Sequence, residues 1–143
     1  MPLFSQVKGH GVVGLDTAET LATVTGLIVA PSPARITALR VKTKGPGTLV
    51  TWNHVHACGP DAVTIRSAED VQTEDDTSIP ADKLHDPLGR RVLTEAGEDL
   101  GPADDIEFDA STGHVQRLVL AGQDVDGERL LGTGGYAVVV ASP

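Results

Sequence analysis

The sequence predicts an all-β fold, and three observations support that prediction. Glycine occurs 16 times and proline 9 times, which favours many tight turns. Short runs rich in β-branched residues lie between those turns, and residues 100–120 have the pattern of two strands joined by a tight turn. About 40% of the residues are hydrophobic but only 3% are aromatic, so the core must be built mainly from aliphatic side chains.

The first half of the chain contains five predicted strands. Residues 1–10 have no periodicity and are expected to be either disordered or an edge strand. In the third predicted strand, strict alternation puts Ile36, Ala38 and Arg40 on one face and Thr37, Leu39 and Val41 on the other. A bend or bulge is expected at Gly26. The predicted strands are residues 11–15, 21–30, 34–43, 48–52 and 62–65.

An acidic stretch separates this half from the rest of the chain. Residues 68–90 are rich in aspartate and glutamate and poor in apolar residues, which is typical of a solvated connector. An acidic interaction arm is the other interpretation, and the simple connector is the one that such compositions favour. The predicted organisation is a first unit at residues 1–67, a linker at 68–90 and a second unit at 91–143.

The second unit repeats the pattern of short strands. Residues 92–94, 100–108, 114–121, 129–131 and 136–141 are the predicted strands. Residues 109–113 join two of them, because Asp109 can bond its own backbone and Gly113 can supply a positive φ in a bulged turn. The apolar positions of this hairpin match those of residues 21–41 at an offset of 79, and Gly59 to Ile65 match Gly134 to Val140 at an offset of 75. Two copies of one fold are therefore expected.

Specific residues of the second unit resemble a known family. Leu100-Gly101, Asp105-Ile106-Glu107-Phe108-Asp109 and Thr112-Gly113-His114-Val115 are similar to the pattern of the PRC-barrel family, which is named for the cytoplasmic domain of the photosynthetic reaction-centre H subunit. The stretch from Trp52 to Val63 resembles that family's last strand and its preceding turn, although the first unit has Gly26, Ala30 and Pro33-Ala34 where the motif has aspartates and Thr-Gly.

The resemblance implies two small, strongly bent PRC-barrel-like β-barrels in tandem, pseudo-symmetric and joined by the acidic linker. They would pack side by side or exchange strands into one body, because so small a core per unit favours mutual packing or a homodimer. Family members act in electron-transfer assemblies, ribosome maturation and cell division, where the domain mostly contacts other proteins. That is an analogy of fold, and it identifies no partner.

One cluster has residue types that bind metals. On a straight strand His54, His56 and Cys58 would share a face, an arrangement that suits zinc or another transition metal. Two points oppose this hypothesis: the family pattern places Val55 and Cys58 inward, and no fourth ligand is evident beyond His10, His85 or His114. Structural or surface roles for these residues are the competing interpretation.

Two other motifs do not support a site. The carboxylates of Asp104, Asp105, Glu107 and Asp109 lack the spacing of a loop that wraps calcium, and turn caps on a solvated face explain them better. Residues 132–137 fit G-x-G-x-x-A, but β-branched residues follow where a dinucleotide site needs a helix. No cofactor is expected.

Charge and composition limit the classes of function that the sequence supports. A net charge of −9 disfavours direct binding to nucleic acid. An acidic surface suits a basic protein partner, although solubility alone is the interpretation that such a charge favours. One cysteine permits no internal disulfide, and no membrane-inserting segment is visible, so a cytoplasmic protein is expected. The sequence therefore predicts a non-enzymatic adaptor or scaffold that binds another protein. The alternative is a small-ligand or metal carrier with its site near His54, His56 and Cys58.

Overall fold

The computed structural model describes residues 2–77, 86–134 and 136–142. Within these ranges the chain forms thirteen strands, several short 3-10 turns and one short α-helix, α1 (Glu74–Thr77). The predicted all-β class is therefore confirmed. None of the described residues belongs to a helix that is both long and apolar enough to cross a membrane.

Six strands of the first half form one sheet. Its order is β4-β3-β2-β1-β6-β5, and every pair is antiparallel except β1 with β6. The 11 residues of β2 give the sheet its longest strand, since their β-branched side chains suit a half-buried pleated surface. The strands are β1 (Gly11–Gly14), β2 (Thr20–Ala30), β3 (Arg35–Lys42), β4 (Leu49–Thr51), β5 (Ala57–Cys58) and β6 (Val63–Ile65).

Seven strands of the second half form two sheets. Their orders are β11-β10-β9 and β12-β13-β7-β8, with β7 and β13 parallel. The single strand predicted at residues 100–108 is wrong, because the chain breaks into β8 and β9. Gly101 has a φ of +98° and Pro102 has no N–H to donate, so the ladder stops there. The strands are β7 (Arg91–Thr94), β8 (Asp99–Pro102), β9 (Asp105–Phe108), β10 (Val115–Leu120), β11 (Gln123–Asp126), β12 (Leu130–Thr133) and β13 (Ala137–Val140).

The strict alternation predicted for β3 is also wrong. Val29 pairs with Ile36 while Ile28 pairs with Ala38, so one extra residue is inserted in β3 at position 37. A bulge of this kind changes the face to which the following residues point. As a result, side chains on both sides of the bulge reach the same core, namely Ile36, Leu39 and Val41.

Both halves contribute to one hydrophobic core. Leu27 and Leu39 from the first half, and Ile106 and Leu118 from the second, are almost fully buried in the same cluster. The N-terminal segment at residues 2–10, called the lead below, is part of this core. Phe4 is fully buried, and its 3-10 turn (Phe4–Gln6) lies against β9. The lead is therefore neither disordered nor a simple edge strand.

Hydrogen bonds fix the lead on the second half. The Phe108 N–H donates to the Pro2 carbonyl, and Leu3 forms a bridge with Glu107. The Ser5 N–H donates to Asp105 Oδ1 at 2.9 Å, and the Ser5 hydroxyl donates to the other oxygen of the same carboxylate. These bonds satisfy a carboxylate that is only 9% exposed.

Parts of the predicted linker also pack on the first half. Gln72 exchanges backbone hydrogen bonds with Leu49 at the edge of β4. Asp86 is buried, and its carboxylate lies 3.3 Å from Arg40 Nη1 and accepts the Leu27 N–H at 3.3 Å. These residues are docked rather than solvated, while residues 78–85 of the linker lie outside the described residues.

The shared core predicts a single unfolding transition in which both halves take part. Ile106→Val removes one buried methylene group from the second half and should lower the free energy of unfolding by about 0.5–1.5 kcal/mol. Trp52 is the only tryptophan, and its ring meets Phe108 of the second half at a centroid distance of 6.2 Å. Its fluorescence therefore reports the contact between the halves, while circular dichroism reports the whole chain. The midpoints of the fluorescence and circular dichroism transitions should shift by the same amount.

Leu131→Ala is the matched control, since its side chain is 48% exposed and its loss should change stability little. A fluorescence midpoint that stays in place while the circular dichroism transition splits would contradict the shared core.

Candidate interaction site

His54, His56 and Cys58 do not form one row of side chains. A 3-10 turn (Trp52–His54) interrupts the strand that their alternation required. His54 Nδ1 lies 2.8 Å from Thr51 Oγ1 and 3.1 Å from Gln72 Oε1, so this ring nitrogen is already engaged. His56 is exposed, whereas Cys58 is half-buried on β5 and packs against the core.

The described part of the chain contains no group of three histidine, cysteine, aspartate or glutamate side chains placed to hold a metal ion. Of the further ligands considered, His85 lies outside the described residues. The metal site therefore stays a prediction from the sequence, without a ligand set to support it.

The acidic residues around β9 have structural partners. Asp105 binds the lead through Ser5, as described above, and Asp109 Oδ1 accepts the N–H groups of Ser111 and Thr112 at 2.8 and 3.3 Å. Gly113 adopts a φ of +79° at the end of that turn. The Asp109 contacts match the expected turn cap, whereas Asp105 is buried and does not lie on a solvated face. Along the glycine-rich segment, β13 follows directly rather than a helix, and Gly135 lies outside the described residues.

One edge of the first sheet is covered by its own chain. The Leu49 N–H donates to the Gln72 carbonyl at 3.1 Å, and the Gln72 N–H donates back to the Leu49 carbonyl at 2.8 Å. Val71, next to Gln72, packs against the core and lies over Gly47. These contacts satisfy the outward backbone groups of Leu49, so the edge of β4 is closed.

The corresponding edge of the second half, at β11, is not paired by any described residue, and it is called the open edge below. β11 lies beside β10 as β4 lies beside β3, and the register pairs Leu118 with Val125 where the first half pairs Leu39 with Val50. Asp124 thus stands where Leu49 stands in β4, and its backbone N–H and C=O point away from β10. Within residues 2–77, 86–134 and 136–142, no backbone group forms a hydrogen bond with that outer side of β11.

The open edge has an acidic surface. Gln123, Asp124 and Asp126 are exposed, while Val125 is fully buried beneath them. Arg117 on β10 lies 3.5 Å from Asp124 and 3.4 Å from Glu107, in exposed ion pairs that leave the carboxylates accessible. The edge therefore offers unpaired backbone groups together with negative charge.

Comparison with known proteins gives one family match, in the second half of the chain. Residues 80–140 match the PRC-barrel domain. The match spans β7 to β13 and Asp86, so it supports the resemblance carried by the motif residues of β8 to β10. A single copy is matched, and the residues before position 80 lie outside it. No curated protein matches the chain.

Sequence reasoning missed the open edge of β11. A comparison at the offset of 75 pairs Leu49 with Asp124 and Trp52 with Gly127, so two apolar residues of the first half are replaced by an acidic residue and a glycine. These exchanges could have marked a surface that differs between the halves. They could not have shown that Gln72 closes the other edge, since that contact depends on the docked linker.

The environment of Cys58 predicts that its thiol reacts slowly with disulfide reagents. Burial raises the pKa of the Cys58 thiol above its ordinary value, so less thiolate is present at neutral pH. Because the thiolate is the nucleophile, the folded protein should react with a disulfide reagent at about pH 7 at least several-fold more slowly than the same chain in urea. The rate should increase as the pH rises. Equal rates in the folded and unfolded chain would contradict this assignment.

Proposed function

We propose that the protein is a non-enzymatic interaction module of the PRC-barrel type, an adaptor or scaffold made of two related units. The match at residues 80–140 supports the type for the second unit. The first unit is assigned by its strand order, because β4-β3-β2-β1-β6-β5 has the same succession as β11-β10-β9 followed by β8-β7-β13-β12. In this comparison β2 corresponds to β8 and β9 together.

Strand registers support the relation between the two units. Leu27 pairs with Leu39 and Ile106 pairs with Leu118, which is a displacement of 79 residues on both strands. The irregularities recur as well: Ile28/Val29 in β2 and Glu107/Phe108 in β9 stand at matching bulges against β3 and β10. Bulges are specific features of a fold, so their recurrence argues for two copies of one unit.

The edge of β11 is the proposed binding surface, and the observation that supports it is the contrast with β4. The first unit closes this edge with Gln72, whereas the second unit leaves Asp124 with outward backbone groups that no described residue pairs. An extended segment of another protein can add to such an edge, with main-chain hydrogen bonds supplying much of the affinity. Gln72 on Leu49 is the geometric template for that contact.

Charge indicates the chemistry of the partner. Asp124 and Asp126 lie on β11, Glu128 follows two residues after the strand, and the whole chain carries a net charge of −9. A segment with lysine or arginine beside these carboxylates would gain complementary charge. A second copy of this chain would place aspartates opposite aspartates across the paired edges, which is unfavourable. A basic partner is therefore proposed in preference to a homodimer.

The test is native mass spectrometry of the full chain, tagged and gently purified from its own cells. Asp124→Pro removes the outward N–H while leaving the bonds between β10 and β11, and proline is tolerated at sheet edges. Asp124→Ala is the matched control, because it removes the same side chain and keeps the N–H. A polypeptide should copurify with the wild type and with Asp124→Ala and be lost, by about ten-fold or more, with Asp124→Pro.

Two results would contradict the proposal. A partner retained equally by both variants would place its binding surface elsewhere. Purification of the wild-type chain alone, including after chemical crosslinking in the cells, would argue against an interaction module. Circular dichroism of Asp124→Pro, showing the same melting transition as Asp124→Ala, establishes that the variant is folded.

A further inference from the structure

Basic side chains are concentrated at one cavity of this acidic protein. The chain has 11 lysine and arginine residues against 20 aspartate and glutamate residues. Four of the 11 line one open cavity of about 640 Å³, to which both halves contribute. The four are Lys8 in the lead, Arg40 on β3, Arg90 before β7 and Arg91 on β7. The local charge at this cavity is therefore opposite to the net charge of the chain.

Few carboxylates offset these cations. Among the described residues that line the cavity, Asp86 is the one carboxylate. Its Oδ2 lies 3.3 Å from Arg40 Nη1, and its Oδ1 accepts the Leu88 N–H at 3.0 Å. Asp99 lies 3.5 Å from Arg91 Nε, in an exposed pair whose attraction water weakens. Even with Asp99 included, four cations stand against two described carboxylates.

The pair of Arg40 and Asp86 fixes one guanidinium at the cavity wall. Both side chains are largely buried, and the pair lies directly over Gly26, where an added Cβ would come within 2.7 Å of Arg40 Nη1. Gly26 thus provides a close approach that any larger residue would block. A guanidinium held in this way loses less conformational freedom when it binds an anion.

A bulge places a hydroxyl-bearing residue at the same wall. Val24 pairs with Val41 while Gly26 pairs with Arg40, so Thr25 is the extra residue of β2. Bulges redirect side chains, and Thr25 lines the cavity. Within the described part of the chain, no group forms a hydrogen bond with the Thr25 hydroxyl. This hydroxyl can therefore donate to an anion in the cavity.

Arg91 and Tyr136 form another part of the wall. The guanidinium carbon of Arg91 lies 5.5 Å from the centroid of the Tyr136 ring, and Arg91 Nη1 donates to the Tyr136 hydroxyl at 3.2 Å. The attraction between the cation and the ring orients this second guanidinium. Tyr136 is itself 73% exposed, so an aromatic surface lies open beside the cations.

We propose that this cavity binds a small phosphate ester that carries two or more negative charges. Guanidinium groups match phosphate oxygens with paired hydrogen bonds, and Lys8 adds an ammonium group. A phosphate monoester carries a charge of about −1.5 to −2 at pH 7, which the excess of cations would balance. The volume lies within the range of about 300–1,000 Å³ that small-molecule clefts occupy. The cavity shares no residue with β11, so this site is additional to the proposed adaptor function.

Calorimetric titration of the full chain with inorganic pyrophosphate and with ADP tests the site. Pyrophosphate should bind with a Kd below about 1 mM at low salt, and the affinity should fall as sodium chloride screens the charges. ADP that binds about ten-fold more tightly than pyrophosphate would support a nucleotide whose base stacks on Tyr136. Equal affinities would support recognition of the phosphate groups alone. In NMR spectra the amides of Thr25, Gly89 and Tyr136 should shift most.

Two double variants with the same loss of charge supply the matched control. Lys8→Gln with Arg91→Gln removes two exposed cations from the cavity, whereas Lys44→Gln with Arg66→Gln removes two exposed cations that do not line it. The first pair should weaken pyrophosphate binding by about ten-fold or more, and the second by about two-fold or less. Circular dichroism should show the wild-type melting transition for both double variants.

Three results would overturn the phosphate site. One is the absence of binding of pyrophosphate and ADP at millimolar concentration. Another is equal weakening by the two double variants, because affinity would then follow net charge rather than the cavity. The third is binding of hexaglutamate without binding of pyrophosphate, which would assign the cavity to an acidic protein segment. The edge of β11 is tested separately, by Asp124→Pro.

Discussion

Two backbone hydrogen bonds fix the geometry on which the rest of the molecule depends. The Ile36 N–H donates to the Gly113 carbonyl at 2.8 Å, and the Val115 N–H donates to the Ala34 carbonyl at 2.9 Å, on either side of the bridge between Arg35 and His114. Each half thereby holds the hairpin turn of the other half against its own central hairpin. This reciprocal contact joins the two apolar surfaces into one core, which neither half is large enough to form well alone.

The same contact makes the differences between the halves meaningful. The strand order β4-β3-β2-β1-β6-β5 of the first half follows the same succession as β11-β10-β9 and β8-β7-β13-β12 of the second, so residues at matching register positions can be compared. The first half completes itself, with Gln72 on the edge of β4 and Trp52 in the space beside the opposite turn. The second half has Asp124 and Gly127 at these places, and among the described residues no backbone group pairs with the outer side of β11. Under the proposed function, the contact of Gln72 with β4 indicates how an extended segment of a partner would pair with β11.

Much of the strand pattern could be predicted from the sequence, and the failures have physical causes. Runs of β-branched residues between glycine and proline turns mark strands because their preference is local. Bulges and strand breaks, as at residue 37 and at Gly101, depend on how the sheet bends around the core. The burial of Phe4 could not be predicted because a short N-terminal segment has no periodicity. The metal hypothesis assumed a straight strand, whereas a 3-10 turn precedes Val55. The open edge depends on pairing between distant segments, which no local pattern contains.

Amide hydrogen exchange, measured by NMR on the isolated chain, tests the central claim most directly. Leu49 and Asp124 hold matching register positions on β4 and β11. The Leu49 N–H donates to the Gln72 carbonyl, whereas no described backbone group accepts from the Asp124 N–H. The amide of Leu49 should be protected by about a hundred-fold or more relative to that of Asp124, with Val125 as the protected neighbour on the same strand. Protection of Asp124 equal to that of Leu49 would mean that the edge of β11 is already paired, and it would contradict the account.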